Sequence, residues 1–277
     1  MRTSEAQPVV AAVDGSRTHP VTLDLAADEA ARRGVPLHVL HVWPGQYTGR
    51  YRCRGPVPGE TDGRRLLDAA IRRARQRAPW LTVTGELITG SPAGILAEHS
   101  ETASLVVIGR RDEGPGRPGW GSTAAYLARH SRSPLLVQRG AGLRTGPVVL
   151  AVTGLDGPAS AVRRAFEEAD LAGTRLVAVR VWQPGDDQAG RQARRQLTEL
   201  LAAWAGHYPR VRVEPLVVAE PELSYTLGRA SRRGRLLIAA SGQRGWFAEL
   251  VRGVPGPGQS PVLLVPPVSF SVAAAGR

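Results

Sequence analysis

Residues 9–15 read VVAAVDG, and residues 148–154 read VVLAVTG. The segments after these two copies run in parallel. LHVLHVW at 37–43 reappears as LVAVRVW at 176–182, at the same spacing that separates Val9 from Val148. Pro92 then corresponds to Pro221, LVVIG at 105–109 to LLIAA at 236–240, and PLLV at 134–137 to PVLLV at 261–265. These later pairs are closer together, which places deletions in the loops of the second copy. A unit this long is a duplicated domain, because solenoid repeats run to only about 20–50 residues. The chain of 277 residues is long enough for two domains, each burying its own core.

The apolar and charged fractions, 42% and 22%, are those of a soluble globular chain, and no apolar run approaches a bilayer span. The start, MRTSEAQPVV, lacks a signal-peptide core, and the single cysteine, Cys53, cannot form an internal disulfide. A cytoplasmic, non-membrane protein is expected. The formal net charge of +12 raises a nucleic-acid partner. All 36 basic residues are arginine, however, and the excess is evenly spread: 19 arginines against 13 acids in 1–140, and 17 against 11 in 141–277. The densest cluster, Arg72, Arg73, Arg75 and Arg77, has no interleaved aromatics. It reads as a solvated helix face, and nucleic acid is not the expected partner.

Each copy alternates short, continuously apolar runs with amphipathic helices, the pattern of a parallel sheet covered on both faces. In the first copy the expected strands are 9–13, 37–43, 82–88, 105–109 and 135–138. A helix is expected over 62–78, with Leu66, Leu67, Ala70, Ile71 and Ala74 on its inner stripe. Ser91 is placed as N-cap and Pro92 as the first residue of another helix. In the second copy Val162, Ala165, Phe166 and Ala169 form one stripe, and Leu197, Leu200, Leu201 and Trp204 another. The Gly-rich stretch GAGLRTGP (140–147) separates the copies. The expected division is a first domain at 1–140, a linker at 141–147, a second domain at 148–268 and a tail at 269–277. Loops at 44–60 and 112–120 come after strands, and so lie at the carboxyl edge where open α/β sheets bind ligands.

The order of these pieces resembles the universal stress protein family in its tandem form, from about Pro8 to Pro267. Three features carry the resemblance: VDGS at 13–16, HVW at 41–43, and the Gly-rich stretch from VVIG through GST (121–123) to PLLV. The resemblance implies two tandem Rossmann-like domains, each a five-stranded parallel sheet in the order 3-2-1-4-5 with helices on both faces. It also implies pairing through the fifth strands, here 135–138 with 261–265, which would make the chain an internal pseudo-dimer and cover two open edges. Further homodimerisation of whole chains is left open. That strand order puts the switch point between the first and fourth strands, which end at Asp14 and Gly109. Carried over from the family, an adenine nucleotide, ATP, would contact Asp14, Val42, Gly109, Arg110, Arg111, Gly121, Ser122 and Thr123. Glycines there permit close backbone approach, and a helix N-terminus favours phosphate. Magnesium is expected only as the nucleotide's companion.

The family's glycine pattern is incomplete. Asp112 stands where the middle glycine belongs, the spacing to Gly121-Ser122 is one residue short, and Glu113 adds a further negative charge. Arg110 and Arg111 offset these acids. In the second copy Thr153 replaces the aspartate, Ala240 replaces the first glycine, and the Gly-Ser step has no counterpart. The expectation is one nucleotide site, in the first domain, with the second domain degenerate and structural.

No other constellation competes. His38 and His41 are three apart on one strand, so they point to opposite faces and cannot share a metal. His99 and His130 have no ligand partner at suitable spacing. Cys53 between Arg52 and Arg54 reads as an inert loop thiol. Trp80, Trp204 and Trp246 are placed as packing residues at helix ends. With no lysine a Walker loop is impossible, and GPGRPG (114–119) does not directly succeed a strand. No nucleophile and base appear together, so no efficient catalysis is expected; the resemblance implies stress-response sensing or interaction. A nucleotide-free interaction or scaffold protein and a slow ATPase are the alternatives.

Overall fold

The structure is a computed structural model; it describes every residue except 1–5, 17–18, 44–58, 110–121, 140–144, 153–158, 183–186, 220–232, 242–259 and 268–277. The first half contains β1 (Val9–Ala12), α1 (His19–Arg33), β2 (Leu37–Trp43), α2 (Glu60–Arg77), β3 (Val83–Thr89), α3 (Pro92–His99), β4 (Leu105–Gly109), α4 (Ser122–His130) and β5 (Leu135–Gln138). The second contains β6 (Val148–Val152), α5 (Ala159–Leu171), β7 (Leu176–Trp182), α6 (Asp187–Ala205), β8 (Val213–Ala219), β9 (Leu236–Ala240) and β10 (Val262–Val265). The linker lies mostly in residues outside those described, and the tail wholly so.

The strands form one ten-stranded sheet in the order β3-β2-β1-β4-β5-β10-β9-β6-β7-β8. Each half has the expected order, 3-2-1-4-5, and within each half every pairing is parallel. At the centre β5 meets β10 antiparallel, with Leu136 opposite Leu263. Those two leucines occupy the same place in their copies, so the seam has pseudo-twofold symmetry. Each half thereby protects the other's open edge. Of the two outer edges, β8 carries Pro215, a residue that removes a ladder donor.

Side-chain alternation along buried strands divides the core into two layers. Val9, Ala11, Leu37, Val39, Val148, Leu150 and Leu176 face α1, α2, α5 and α6. Val10, Leu40, Val106 and Ile108 face the opposite way, in one layer with Leu96 of α3 and Leu127 of α4, and Val149 and Leu237 continue that layer into the second half. The second-half segments corresponding to α3 and α4 fall at 220–232 and 242–259, outside the described residues. The apolar stripe of α5 is fully buried, and Phe166 stacks on Tyr208 at 5.5 Å. On α6, Leu197 and Leu201 are buried while Leu200 and Trp204 pack at the margin.

Some local expectations change. Helix α2 starts at Glu60, two residues early, because the Gly59 N–H donates to the Asp62 carboxylate (2.9 Å) and stabilises the first turn. Ser91 is the N-cap of α3 as expected, but its hydroxyl makes no cap bond; Pro92 alone supplies the start signal. Trp80 is no packing residue: it is 78% exposed. Three residues beyond the end of α2, it falls after the helix's buried stripe has ended. The arginine cluster on α2 is largely bound within the chain. Arg73 and Arg77 make two-pronged contacts with Asp24 and Asp28 of α1, and Arg75 donates to the Val83 carbonyl.

Candidate functional site

Parallel pairing sets Ala11 of β1 beside Val107 of β4 and Ala12 beside Leu40 of β2. The Val13 N–H extends the ladder to the Leu40 carbonyl (2.9 Å). Asp14 therefore leaves the sheet at the end of β1 while Gly109 ends the adjacent β4, on strands about 4.8 Å apart. This is the switch point, where chains diverge to either side and a crevice opens.

The Asp14 loop is shaped from within. Gly15 has φ of +73°, a conformation that L side chains rarely adopt, and a Cβ there would lie 3.4 Å from Leu66 Cδ2. The Ser16 N–H donates to Asp14 Oδ1 (3.0 Å), an Asx turn that fixes the carboxylate while Asp14 stays exposed. At 2.8 Å, His41 Nδ1 donates to the Val13 carbonyl and ties the end of β2 to the residue before Asp14. The sequence alone assigns His41 no role. The available signal is its distance of three from His38, which turns it to the opposite face. Gly63 of α2 makes room for that ring, since a Cβ there would meet His41 Cδ2 at 3.1 Å.

Val42 is half-buried in β2, and the neighbouring Trp43 carbonyl accepts the Gly90 N–H (2.9 Å). Gly109 is half-buried. Helix α4 runs back against the strands, so its N-terminus, at Ser122 and Thr123, returns to the same edge. Ala124, Leu127 and Ala128 are buried and hold α4 in that position. Thr123 is half-buried. The structure thus brings Asp14, Val42, Gly109 and the backbone start of α4 to one end of the sheet. Arg110, Arg111 and Gly121, the Ser122 side chain, and the departures at Asp112 and Glu113 lie outside the described residues, as does Cys53.

The matching edge of the second half is built differently. Ala240 takes the place of Gly109 and is buried at 4% exposure. The next residue, Ser241, donates its N–H to the Val265 carbonyl (2.8 Å) and so continues the ladder. Val181 packs on the core, as a strand-end valine should. In place of His41 stands Arg180, half-buried, its basicity lowered by desolvation. The glycine near the start of α6, Gly190, accommodates Trp182, whose ring would lie 2.9 Å from a Cβ there. Thr153 and Trp246 lie outside the described residues.

Among the described residues, no group of three or more His, Cys, Asp or Glu side chains could hold a metal. His38 stacks on His99 (5.8 Å) and lies 2.9 Å from Thr84 Oγ1 and 3.5 Å from Glu86. Burial and the nearby His99 push its imidazole below the usual range, against the opposing pull of Glu86. No described helix is long and apolar enough to cross a membrane.

A sequence profile of the Universal stress protein family matches residues 5–139. A universal stress protein of Mycobacterium tuberculosis is 31% identical over 243 residues, covering 85% of this chain and 89% of that one. A universal stress protein structure from Archaeoglobus fulgidus covers 95% of this chain and 99% of its own, with a TM-score of 0.69 and 14% identity, a likeness of fold. A single-unit structure titled as the universal stress protein from Archaeoglobus fulgidus in complex with dAMP is 26% identical. It covers 48% of this chain and 98% of its own, with a TM-score of 0.38. By the near full-length relative and the profile together, this chain belongs to the universal stress protein family.

Proposed function

We propose that the first half binds one adenine nucleotide at the ends of β1, β2 and β4, and that the second half supports it without a site of its own. The chain then acts in a stress response by sensing or interaction, within the cytoplasm, and not by catalysis. One observation carries this reading: β4 ends in a half-buried glycine in the first half, and the equivalent strand of the second half ends in a buried alanine.

The residues fit such a ligand. Backbone N–H groups near Gly109 and at the start of α4 suit phosphate oxygens, because no Cβ stands at Gly109 and a helix N-terminus carries partial positive charge. Asp14, fixed by the Ser16 N–H, presents a carboxylate that can accept from a base amino group or a ribose hydroxyl. The adenine identity and the triphosphate come from the family resemblance of VDGS, HVW and GST. Arg110 and Arg111 would add charge. The described residues offer no metal cage, so magnesium would arrive on the phosphates.

Asp112 and Glu113 favour the second reading, a nucleotide-free interaction protein, since they place acids where phosphates would lie. Isothermal titration with ATP and AMP separates the two. Saturable binding that Asp14→Ala weakens supports the site; no heat with either nucleotide, and no thermal stabilisation by ligand linkage, supports the alternative. Phosphate release above that of a Ser122→Ala control would replace both with the slow ATPase.

A further inference from the structure

Where α1 and α5 approach across the β5–β10 seam, five charged side chains are packed together. Glu168 of α5 is 2% exposed. Arg32 Nη2 donates to its Oε2 (2.8 Å), and Arg33 Nη2 to its Oε1 (2.5 Å), both from the opposite half. Arg164 Nε stands 3.1 Å from Oε1 within the same helix. On α1, Glu29 accepts from both Arg32 and Arg33. Arg32 Nη1, Arg33 Nε and both Nε and Nη2 of Arg164 are buried without a hydrogen-bond acceptor.

Such a cluster is a poor device for stability. Buried ions lose hydration, several of these N–H groups recover nothing for it, and apolar replacements of buried ionic groups are often neutral or better. What the cluster can do is distinguish partners. The seam backbone is pseudo-symmetric about Leu136 and Leu263, so it would equally pair two first halves or two second halves. The charges are not symmetric. Glu29 and Glu168 occupy the same repeat position, but the counterparts of Arg32 and Arg33 are Leu171 and Ala172, and that of Arg164 is Leu25.

We propose that this cluster is a recognition key that makes each half select the unlike half of the chain at the β5–β10 seam. Two second halves together would deprive each Glu168 of both cross-seam donors and leave it with Arg164 alone. Two first halves would bury four guanidinium groups against two carboxylates. Unlike pairing buries three against two, a net charge of +1 at each seam. Like pairing yields one seam of +2 and one of zero. Because charging energy grows with the square of the charge, the unlike arrangement is favoured.

The test keeps every residue in the sample. A protease site introduced within 141–144 of the full chain is cut after folding, and the nicked complex is weighed by native mass spectrometry. A copy enriched in a heavy isotope is then mixed in, and heavy–light unlike pairs establish exchange. The unvaried protein should show unlike pairs only. Glu168→Gln and Arg33→Gln each level the seam charges among all three pairings, so about half of the pairs should become like pairs. Like pairs in the unvaried protein, or their absence from both variants, overturns the proposal. A second measurement needs no exchange. Replacing Glu29, Arg32, Arg33, Arg164 and Glu168 together by leucine or methionine should leave the Tm of the uncut chain equal or higher. A large fall would mean the cluster serves stability and would also overturn it.

Discussion

β1 and β6 sit at corresponding places in their half-sheets, each between the strand before and the strand after a crossover, with matching helices on one face. Yet β4 ends in Gly109 while β9 ends in Ala240, and the ring that steadies the Asp14 turn, His41, has become Arg180. Duplicated sequence keeps its fold where side chains are buried on both sides, because any change of volume there is felt by many neighbours. At the strand ends that constraint lapses, and one copy can lose a binding edge while its scaffold persists. The same contrast holds at the seam, where a symmetric backbone carries an asymmetric set of charges.

The largest expected effect separates the two helix cores. Phe166 is fully buried, whereas its counterpart in α1 is Ala27. Phe166→Ala should cost about 3–5 kcal/mol in chemical denaturation, the usual cost of an aromatic core truncation. A loss below about 1 kcal/mol would mean the second core is as loosely filled at that point as an alanine allows.

Acid titration tests the buried glutamate of α5. Burial alone would raise the Glu168 pKa, but Arg33, Arg164 and Arg32 outweigh it and hold it at about 2, against 4.5 when unfolded. Because the folded value is the lower one, its stabilisation is complete above pH 4.5 and is lost as pH falls through 2. The linkage corresponds to about 3 kcal/mol. Glu168→Gln should flatten stability across that window. An unchanged pH profile in that variant would mean the arginines do not hold this carboxylate ionised.

At the crevice, Asp14→Ala should weaken nucleotide binding about tenfold or more, near 1.4 kcal/mol, while Thr153→Ala leaves titration curves unchanged. The smallest effect concerns Ala240→Gly, which restores the first half's residue in the second. It should create no second site and should lower stability by about 0.5–1 kcal/mol, as glycine does within a strand. A second binding event in that variant would show that one methyl group alone had closed the second half.

Much of this fold was legible because buried parallel strands must be continuously apolar, and the repeat aligned them in pairs. The edge-to-edge seam came from the family resemblance, which pairs PLLV with PVLLV and covers edges that would otherwise lie open. Element ends were less so, since Val13 still bonds into the ladder after β1 has ended and Gly59 starts α2 through an acid three residues on. Trp80 misled because aromatic character near a helix end says nothing of which way the chain turns. At the site, Asp14 and Gly109 came from the strand order that the family resemblance supplied, whereas His41 needed coordinates to reveal that it holds the Val13 carbonyl. Glu168 had no sequence signal at all. It sits beside an apolar stripe, where an acid usually meets water, and its partners at 32 and 33 lie in the other half of the chain.

The proposal reduces to one ligand for two homologous strand-end sites. Calorimetric titration of the intact chain with ATP, read for stoichiometry, decides this. One equivalent per chain is expected, abolished or strongly weakened by Asp14→Ala; two equivalents, or one that survives this change intact, would refute the division between the halves.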